Sequence, residues 1–244
     1  MTDEPTGPVR SPWAAALSGA AGALSLPAFV LGFSLMGIAG VVRESGFSLA
    51  LAVAATVLMF AGPAQVILFG GIASGAALPV VAIAVTLSSV RLLPMTMALM
   101  PLLRRPGQAL WLQLLCAHYI AVTMWVEGTR RLPPMPQPER VPYFLGFANT
   151  CLVVGTVFTV IGYYLTGALP PHLAAAVLFL TPMFFTVSLV AGIRMPADVV
   201  AVVLGFALAP VFTFVFGKEF DLLATGLIGG TLAYLSGRIR WRLV

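Results

Sequence analysis

The sequence predicts an all-α polytopic membrane protein with about seven to eight transmembrane helices. Of its 244 residues, 60% are hydrophobic and 9% are charged, whereas roughly 25% of residues are charged in soluble proteins. The mean hydropathy is +1.03. Ser45 to Val90 is a run of 46 residues without a charged side chain, enough for two helical crossings of about 20 residues each.

The net charge of +5 does not indicate nucleic-acid binding, because no basic run is interleaved with aromatic residues. The positive charges lie in short loops and at the C-terminus, which is typical of loops that set membrane orientation. The N-terminus lacks the basic region of a secretory signal. We therefore expect it to be retained as a short tail.

Charge gaps and turn residues divide the chain into eight hydrophobic segments. Seven are long enough to cross a bilayer with these bounds. The last has only 14 residues, so it must extend to Phe220 and Ser236 to cross. In chain order the segments are Ala16–Val42, Leu49–Ile72, Ala77–Leu99, Ala109–Val126, Tyr143–Leu165, His172–Ile193, Ala197–Phe216 and Leu222–Leu235.

The distribution of basic residues predicts that both termini are cytoplasmic. If all eight segments cross, eight arginines lie on the side of the termini and four basic residues lie on the other. Arg104 and Arg105 fall on the less basic side in this arrangement. We therefore expect that one segment is re-entrant or broken.

The segment from Gly128 to Pro142 contains five prolines and predicts an extended, non-helical linker. It divides the chain into a first transmembrane half, residues 16–127, and a second, residues 143–237. An N-terminal tail, residues 1–15, and a basic C-terminal tail, residues 238–244, flank the two halves.

The two halves are weakly similar. Ala55–Pro63 in the first and Ala174–Pro182 in the second each end in a proline near mid-span. Such a proline breaks the helix and frees backbone polar groups, which membranes tolerate where the break lines a cavity. The alternative is that these prolines only permit kinks and close helix packing.

Arg91 is the strongest single candidate for a functional residue. It falls near the middle of a predicted span, where an arginine costs about 2.5 to 3.5 kcal/mol and usually faces a wet cavity, a partner or a substrate. Gln65 follows the break at Gly62-Pro63, so its amide pairs either with freed backbone groups or with a polar ligand. Ser89 is expected to hydrogen-bond back to its own helix.

The other polar residues within the spans favour structural roles. Asn149 is expected to hydrogen-bond another helix, and so is His118, for which a proton relay is the alternative. Glu127 and Arg131 have the i, i+4 spacing of a helical ion pair. The motifs of zinc enzymes, serine hydrolases and phosphate-binding loops are absent from the sequence. We therefore expect no catalysis, metal or cofactor.

Two motifs carry a family resemblance, Phe60-Ala61-Gly62-Pro63-Ala64-Gln65 and Ser89-Val90-Arg91-Leu92-Leu93-Pro94-Met95. The chain resembles the AzlC family over nearly its whole length. The resemblance implies a large permease subunit of the bacterial inner membrane that exports branched-chain amino acids with a small hydrophobic AzlD-like partner. Ser89 and Leu92 replace the asparagine and histidine of the family's second motif.

A hydrophobic amino acid needs a cation or helix N-terminus for its carboxylate, carbonyls for its ammonium group and an apolar pocket. We assign these roles to Arg91 or the broken-helix amides, to Gln65 with freed carbonyls, and to Phe60 with Met59, Phe184 and Phe185. The alternatives are transport of another small solute and a non-transporting assembly subunit. The candidate binding residues are Phe60, Gly62, Pro63, Gln65, Ser89, Arg91, His118, Asn149 and Pro182.

Overall fold

The computed structural model describes residues 10–25, 27–170, 195–216 and 224–241, with scattered positions between 172 and 193. These residues form helices and no strands, which confirms the all-α prediction. The chain divides into a first unit, residues 1–181, and a second unit, residues 182–244.

The first unit contains nine helices whose bounds the structure describes, and several are separated by breaks of only one to three residues. They are α1 Pro12–Ser25, α2 Pro27–Glu44, α3 Leu49–Leu58, α4 Gly62–Ala73, α5 Leu78–Ser89, α6 Leu92–Leu103, α7 Leu110–His118, α8 Val122–Arg131 and α9 Gln137–Ala168.

Helices α1 and α2 pack one after the other along α9, and both run parallel to it. Gly146 of α9 lies against α1, where a methyl group in place of the glycine hydrogen would come within 2.1 Å of the Ala16 carbonyl oxygen. Gly162 lies against α2, where the same group would come within 2.3 Å of the Met36 carbonyl oxygen. Only glycine allows these backbones to approach so closely. Helices α1, α2 and α9 therefore pack together closely. The broken helices described below are placed relative to these three.

Two polar contacts mark the opposite ends of α9. At its N-terminus, Arg10 pairs with Glu139 at 2.7 Å, and we call this the Arg10 end. Near its C-terminus, the Arg43 guanidinium donates a hydrogen bond to the Tyr163 carbonyl at 3.1 Å, and we call this the Arg43 end. With 32 residues, α9 is roughly 48 Å long, more than enough to cross a bilayer core of about 30 Å.

Helices α3 and α4 form a re-entrant hairpin, which we call hairpin A. The rings of Phe47, just before α3, and Phe69, within α4, have centroids 5.1 Å apart, whereas a straight helix would separate these residues by about 33 Å. The predicted crossing at Leu49–Ile72 is therefore wrong. Hairpin A enters from the Arg43 end, turns at Met59–Ala61 and returns to that end.

Helices α5 and α6 together form a crossing that bends by 46° at Val90 and Arg91. The crossing starts after hairpin A and finishes at the Arg10 end. There, the Gln137 side-chain amide donates to the Arg104 carbonyl at 3.0 Å. Arg91, predicted near the middle of a span, thus lies at a bend that the sequence did not predict.

Helices α7 and α8 form hairpin B, in which the chain direction changes by 115°. The loops on both sides of it lie at the Arg10 end, because the Arg105 guanidinium donates a hydrogen bond to the Gln137 carbonyl. The predicted segment Ala109–Val126 is therefore re-entrant, like hairpin A, whereas the sequence predicted one re-entrant or broken segment without identifying it. This arrangement also corrects the predicted topology, since Arg104 and Arg105 lie on the same side as Arg130 and Arg131.

The predicted extended linker from Gly128 to Pro142 is mostly helical. Helix α8 continues to Arg131 and α9 begins at Gln137, so only residues 132–136 are non-helical. Pro138 occupies the first turn of α9, where a missing amide is tolerated, and Pro142 lies inside the helix. The Arg140 side chain also donates to the carbonyls of Pro133 and Met135, at 3.1 and 2.9 Å, which satisfies two carbonyls of the short loop.

The second unit contains α10 Pro196–Phe216, a π-helical turn Thr225–Gly229 and α11 Gly230–Trp241. Gly237 packs near Ala197, and Gly229 packs near Leu204, so α10 and α11 run antiparallel. The repeat predicted at Ala174–Pro182 lies mostly outside the described residues and stays a prediction.

Within the described residues, three helices are long and apolar enough to cross a membrane, or up to five if each bent pair counts as one span. Hairpin B is one of those pairs and does not cross. The predicted total of about seven to eight is not reached in this part of the chain, and the segment His172–Ile193 is largely outside it.

Candidate functional site

The turns of the two hairpins meet inside the first unit. Tip A is Met59–Ala61 and tip B is Tyr119–Ala121. The His118 Nε2 atom, at the end of α7, donates a hydrogen bond to the Val57 carbonyl at 3.0 Å. The rings of Phe60 and Tyr119 contact each other edge to face, with centroids 6.4 Å apart.

The lengths of the half-helices place this junction at the middle of the membrane. Helix α3 has 10 residues and α7 has 9, so each spans about 15 Å, half of a bilayer core of about 30 Å. Because the hairpins enter from opposite ends, their tips reach the same depth. Transporters commonly place their substrate sites at this depth, between broken helices.

A cavity of about 250 Å³ lies at the junction, and we call it the tip cavity. Both tips and the bent crossing α5–α6 contribute to its walls, so three of the helix breaks in the first unit converge there. The lining residues are Leu58, Met59, Phe60, Ala61, Ser89, Leu92, Thr96, Ala117, His118 and Ile120.

The ends of the half-helices supply both signs of partial charge beside the tip cavity. Helices α3 and α7 end at the tips, and helix C-termini present carbonyls with partial negative charge. Helices α4 and α8 begin there, and helix N-termini present amides with partial positive charge. The N-cap positions are Ala61 and Ala121, whose methyl groups cannot accept a hydrogen bond from those amides.

Two hydroxyl groups in the cavity wall retain capacity to accept hydrogen bonds. Ser89 donates to the Val85 carbonyl at 2.9 Å, and Thr96 donates to the Leu92 carbonyl at 2.8 Å. The back-bonding expected for Ser89 is therefore confirmed. Each hydroxyl oxygen keeps lone pairs that can accept a proton donor such as an ammonium group.

Gln65 holds tip A closed rather than facing a ligand with its amide nitrogen. Its side chain is buried, with 2% of its surface exposed. The Nε2 atom donates to the carbonyls of Met59 at 2.8 Å and Ala55 at 3.3 Å. Of the two roles predicted for Gln65, the structure shows the pairing with freed backbone carbonyls.

Tip B is fixed to α9 by Asn149. The Tyr119 hydroxyl donates to the Asn149 side-chain oxygen at 2.8 Å, and the Asn149 amide donates to the Leu145 carbonyl at 2.8 Å. The interhelical roles expected for Asn149 and His118 are both confirmed. Both residues set the position of tip B.

A family model of the AzlC protein matches residues 27–169. The chain belongs to the AzlC family. The matched region runs from α2 to the end of α9 and so includes both hairpins and the tip cavity. No curated protein and no solved structure matches the sequence. The AzlC family is associated with the transport of amino acids across membranes, and this member is a multi-pass membrane protein.

Arg91 of this AzlC protein lies at the bend between α5 and α6, beside the cavity-lining residues Ser89 and Leu92. Its side chain is exposed on the described surface and is not part of the cavity wall. Gly62 and Pro63 form the first turn of α4, directly after tip A. Pro182, Phe184 and Phe185 lie outside the described residues.

Tip B is the part of the site that sequence reasoning missed. Tyr119, Ile120 and Ala121 contain neither proline nor glycine, so no local signal marks the end of α7. Thr96, Ala117 and Ile120 line the cavity without having been predicted. Among the described residues, no group of three histidine, cysteine, aspartate or glutamate side chains is placed to hold a metal ion.

Proposed function

We propose that this AzlC protein exports branched-chain or other hydrophobic amino acids, and that the tip cavity binds the substrate in transit. The observation that supports this most strongly is the convergence of three helix breaks on one cavity at the middle of the membrane. A cavity so placed can open toward the Arg43 end if hairpin A moves away, and toward the Arg10 end if hairpin B moves away.

The chemistry of the cavity matches a zwitterion with an aliphatic side chain. We assign the carboxylate to the free amides at the starts of α4 and α8, and the ammonium group to the carbonyl ends of α3 and α7 with the Ser89 and Thr96 hydroxyls. The apolar wall of Met59, Phe60 and Leu92 takes the side chain.

In this proposal Arg91 attracts the carboxylate of the substrate toward the cavity from the bend of the crossing. Its exposure next to Ser89 supports that role. Because an arginine at such a depth is expensive to keep, we expect Arg91→Ala to abolish export without preventing membrane insertion.

We further propose that the Arg10 end faces the cytoplasm of a bacterium and that a small AzlD-like membrane subunit completes the exporter. The orientation follows from charge, since most arginines described in the first unit lie at this end. They are Arg10, Arg104, Arg105, Arg130, Arg131 and Arg140.

Efflux of radiolabelled valine, leucine, isoleucine and methionine from loaded cells without their own exporters tests the function. The chain is expressed alone and with the small membrane protein encoded beside it. We expect efflux only when both are present. No efflux of any of the four from cells that contain the inserted complex would contradict the proposal, and a wider substrate panel would then test transport of another solute.

A further inference from the structure

A second cavity lies at the Arg10 end, in the loop between α6 and α7. It has a volume of about 460 Å³ and is formed mainly by polar and turn residues, in contrast to the tip cavity. We call it the arginine pocket. Its lining residues are Pro101, Arg104, Arg105, Pro106, Gly107, Gln108 and Gln113.

The carboxylates described at this end are already paired with other arginines. Glu139 pairs with Arg10 at 2.7 Å. Glu127 pairs with Arg130 at 2.9 Å and with Arg131 at 3.1 Å. These ion pairs leave the positive charges around the arginine pocket without a carboxylate partner among the described residues.

Three arginines of like charge share this corner of the protein. Arg104 and Arg105 line the pocket. Arg140 reaches the same place from α9, because its guanidinium donates to the Leu102 carbonyl at 3.4 Å. Arg105 is joined to α9 as well, by its hydrogen bond to the Gln137 carbonyl. Like charges held together in this way favour the binding of an anion.

Hydrogen bonds within the loop use its acceptors and leave donors available. The Gln108 side-chain oxygen accepts from the Arg105 amide, and the Gln108 carbonyl accepts from the Gln113 side chain, both at 2.9 Å. The Arg104 carbonyl accepts from Gln137 at 3.0 Å. The Arg105 Nε atom is buried and has no acceptor among the described residues. The loop is therefore held in place and keeps one buried guanidinium donor unused.

We propose that the arginine pocket binds the phosphate group of an anionic phospholipid. Arg104 is the C-cap of α6, the residue at which the crossing α5–α6 ends, so the pocket lies at the depth of the lipid headgroups. A guanidinium group binds phosphate oxygens in a bidentate manner. Basic pockets at the ends of membrane helices are suited to anionic headgroups. The bound lipid would hold the loop between α6 and α7 against α9.

Lipid binding to the purified protein tests this proposal. Phosphatidylglycerol, phosphatidylcholine and inorganic phosphate are added separately, and bound lipid is counted by native mass spectrometry while the unfolding temperature is measured. We expect phosphatidylglycerol to bind and to raise the unfolding temperature. An equal effect of phosphatidylcholine would overturn the preference for an anionic lipid, and an equal effect of inorganic phosphate would overturn the assignment to a lipid.

Matched arginine variants locate the site. Arg104→Gln removes one exposed charge from the pocket, and Arg130→Gln removes one exposed charge at the same end, outside the pocket. We expect Arg104→Gln to weaken phosphatidylglycerol binding about tenfold, the loss of one charge-assisted contact, and Arg130→Gln to leave it unchanged. Equal weakening by both variants, or no weakening by Arg104→Gln combined with Arg105→Gln, would overturn the proposal. Amino-acid efflux is measured in parallel and does not decide the result.

Discussion

The His118 Nε2 atom donates a hydrogen bond of 3.0 Å to the Val57 carbonyl and so joins two hairpins that enter the protein from opposite ends. Val57 lies in the last turn of α3, where a helix has carbonyls without an internal partner. The bond therefore satisfies an otherwise unpaired group of hairpin A with a side chain of hairpin B. The two tips are thereby held in contact with each other.

Replacement of His118 is predicted to impair transport more than folding. His118→Ala removes the bond between the tips and enlarges the tip cavity, and we expect efflux to fall by at least about tenfold. His118→Gln restores part of the efflux, because its side-chain amide can donate to the same carbonyl. Efflux and the unfolding temperature are measured for each variant.

His172→Ala is the matched control, since His172 is the other histidine of the chain and lies outside both hairpins. We expect it to transport like the unmodified protein. Normal efflux by His118→Ala, at equal amounts of inserted protein, would show that the bond between the tips is dispensable.

Replacement of Gln65 is predicted to lower stability rather than substrate affinity. Gln65→Leu leaves the carbonyls of Ala55 and Met59 without the donor they now share. Each carbonyl keeps a backbone hydrogen bond, from Met59 N to Ala55 at 2.8 Å and from Ala61 N to Met59 at 2.7 Å. The expected loss is therefore the net contribution of two hydrogen bonds, about 1–3 kcal/mol of unfolding free energy. Denaturant unfolding measures the loss, and efflux at several substrate concentrations measures the KM. A raised KM with unchanged stability would instead assign Gln65 to the substrate.

Replacement of Gly146 is predicted to separate α1 from α9. The added methyl group of Gly146→Ala would lie 2.1 Å from the Ala16 carbonyl oxygen, so the two backbones must move apart. We expect a loss of roughly 1–3 kcal/mol, as for other overpacked sites. Gly70→Ala is the control, since no atom lies within 4 Å of the added group. Size-exclusion profiles and unfolding temperatures should distinguish the two variants.

The break at tip A was predictable, and the direction of the chain after it was not. Gly62 and Pro63 mark the start of a new helix in the sequence, and the structure has that helix start at Gly62. The segment Leu49–Ile72 nevertheless has the length and hydropathy of a crossing. Its return depends on the packing of Phe47 against Phe69, a contact between distant residues that periodicity does not contain.

Tip B was indicated only indirectly, by charge. Two arginines on the less basic side, Arg104 and Arg105, pointed to a re-entrant segment without identifying which one. The turn itself is formed by Tyr119–Ala121, which has no helix-breaking residue. Its position is set by contacts of Tyr119 with Asn149 and Phe60. Such contacts depend on the assembled fold and are not visible in a local pattern.

The re-entrant arrangement predicts which loops share a side of the membrane. Glu44, Ser74, Pro106 and Pro134 are exposed residues in or beside four successive loops. Each is replaced singly by cysteine, and labelling with a membrane-impermeant maleimide is compared in intact cells and in opened membranes. The native Cys116 and Cys151 are both buried, so the unmodified protein provides the background.

Hairpins A and B each return to the side from which they enter. Glu44→Cys and Ser74→Cys should therefore label from one side, and Pro106→Cys and Pro134→Cys from the other. Eight full crossings would give a different pairing, with Glu44→Cys matching Pro106→Cys and Ser74→Cys matching Pro134→Cys. That second pattern would contradict both hairpins at once and, with them, the meeting of their tips at mid-membrane. If the two members of only one pair label from opposite sides, the hairpin between them crosses the membrane and the other hairpin is re-entrant.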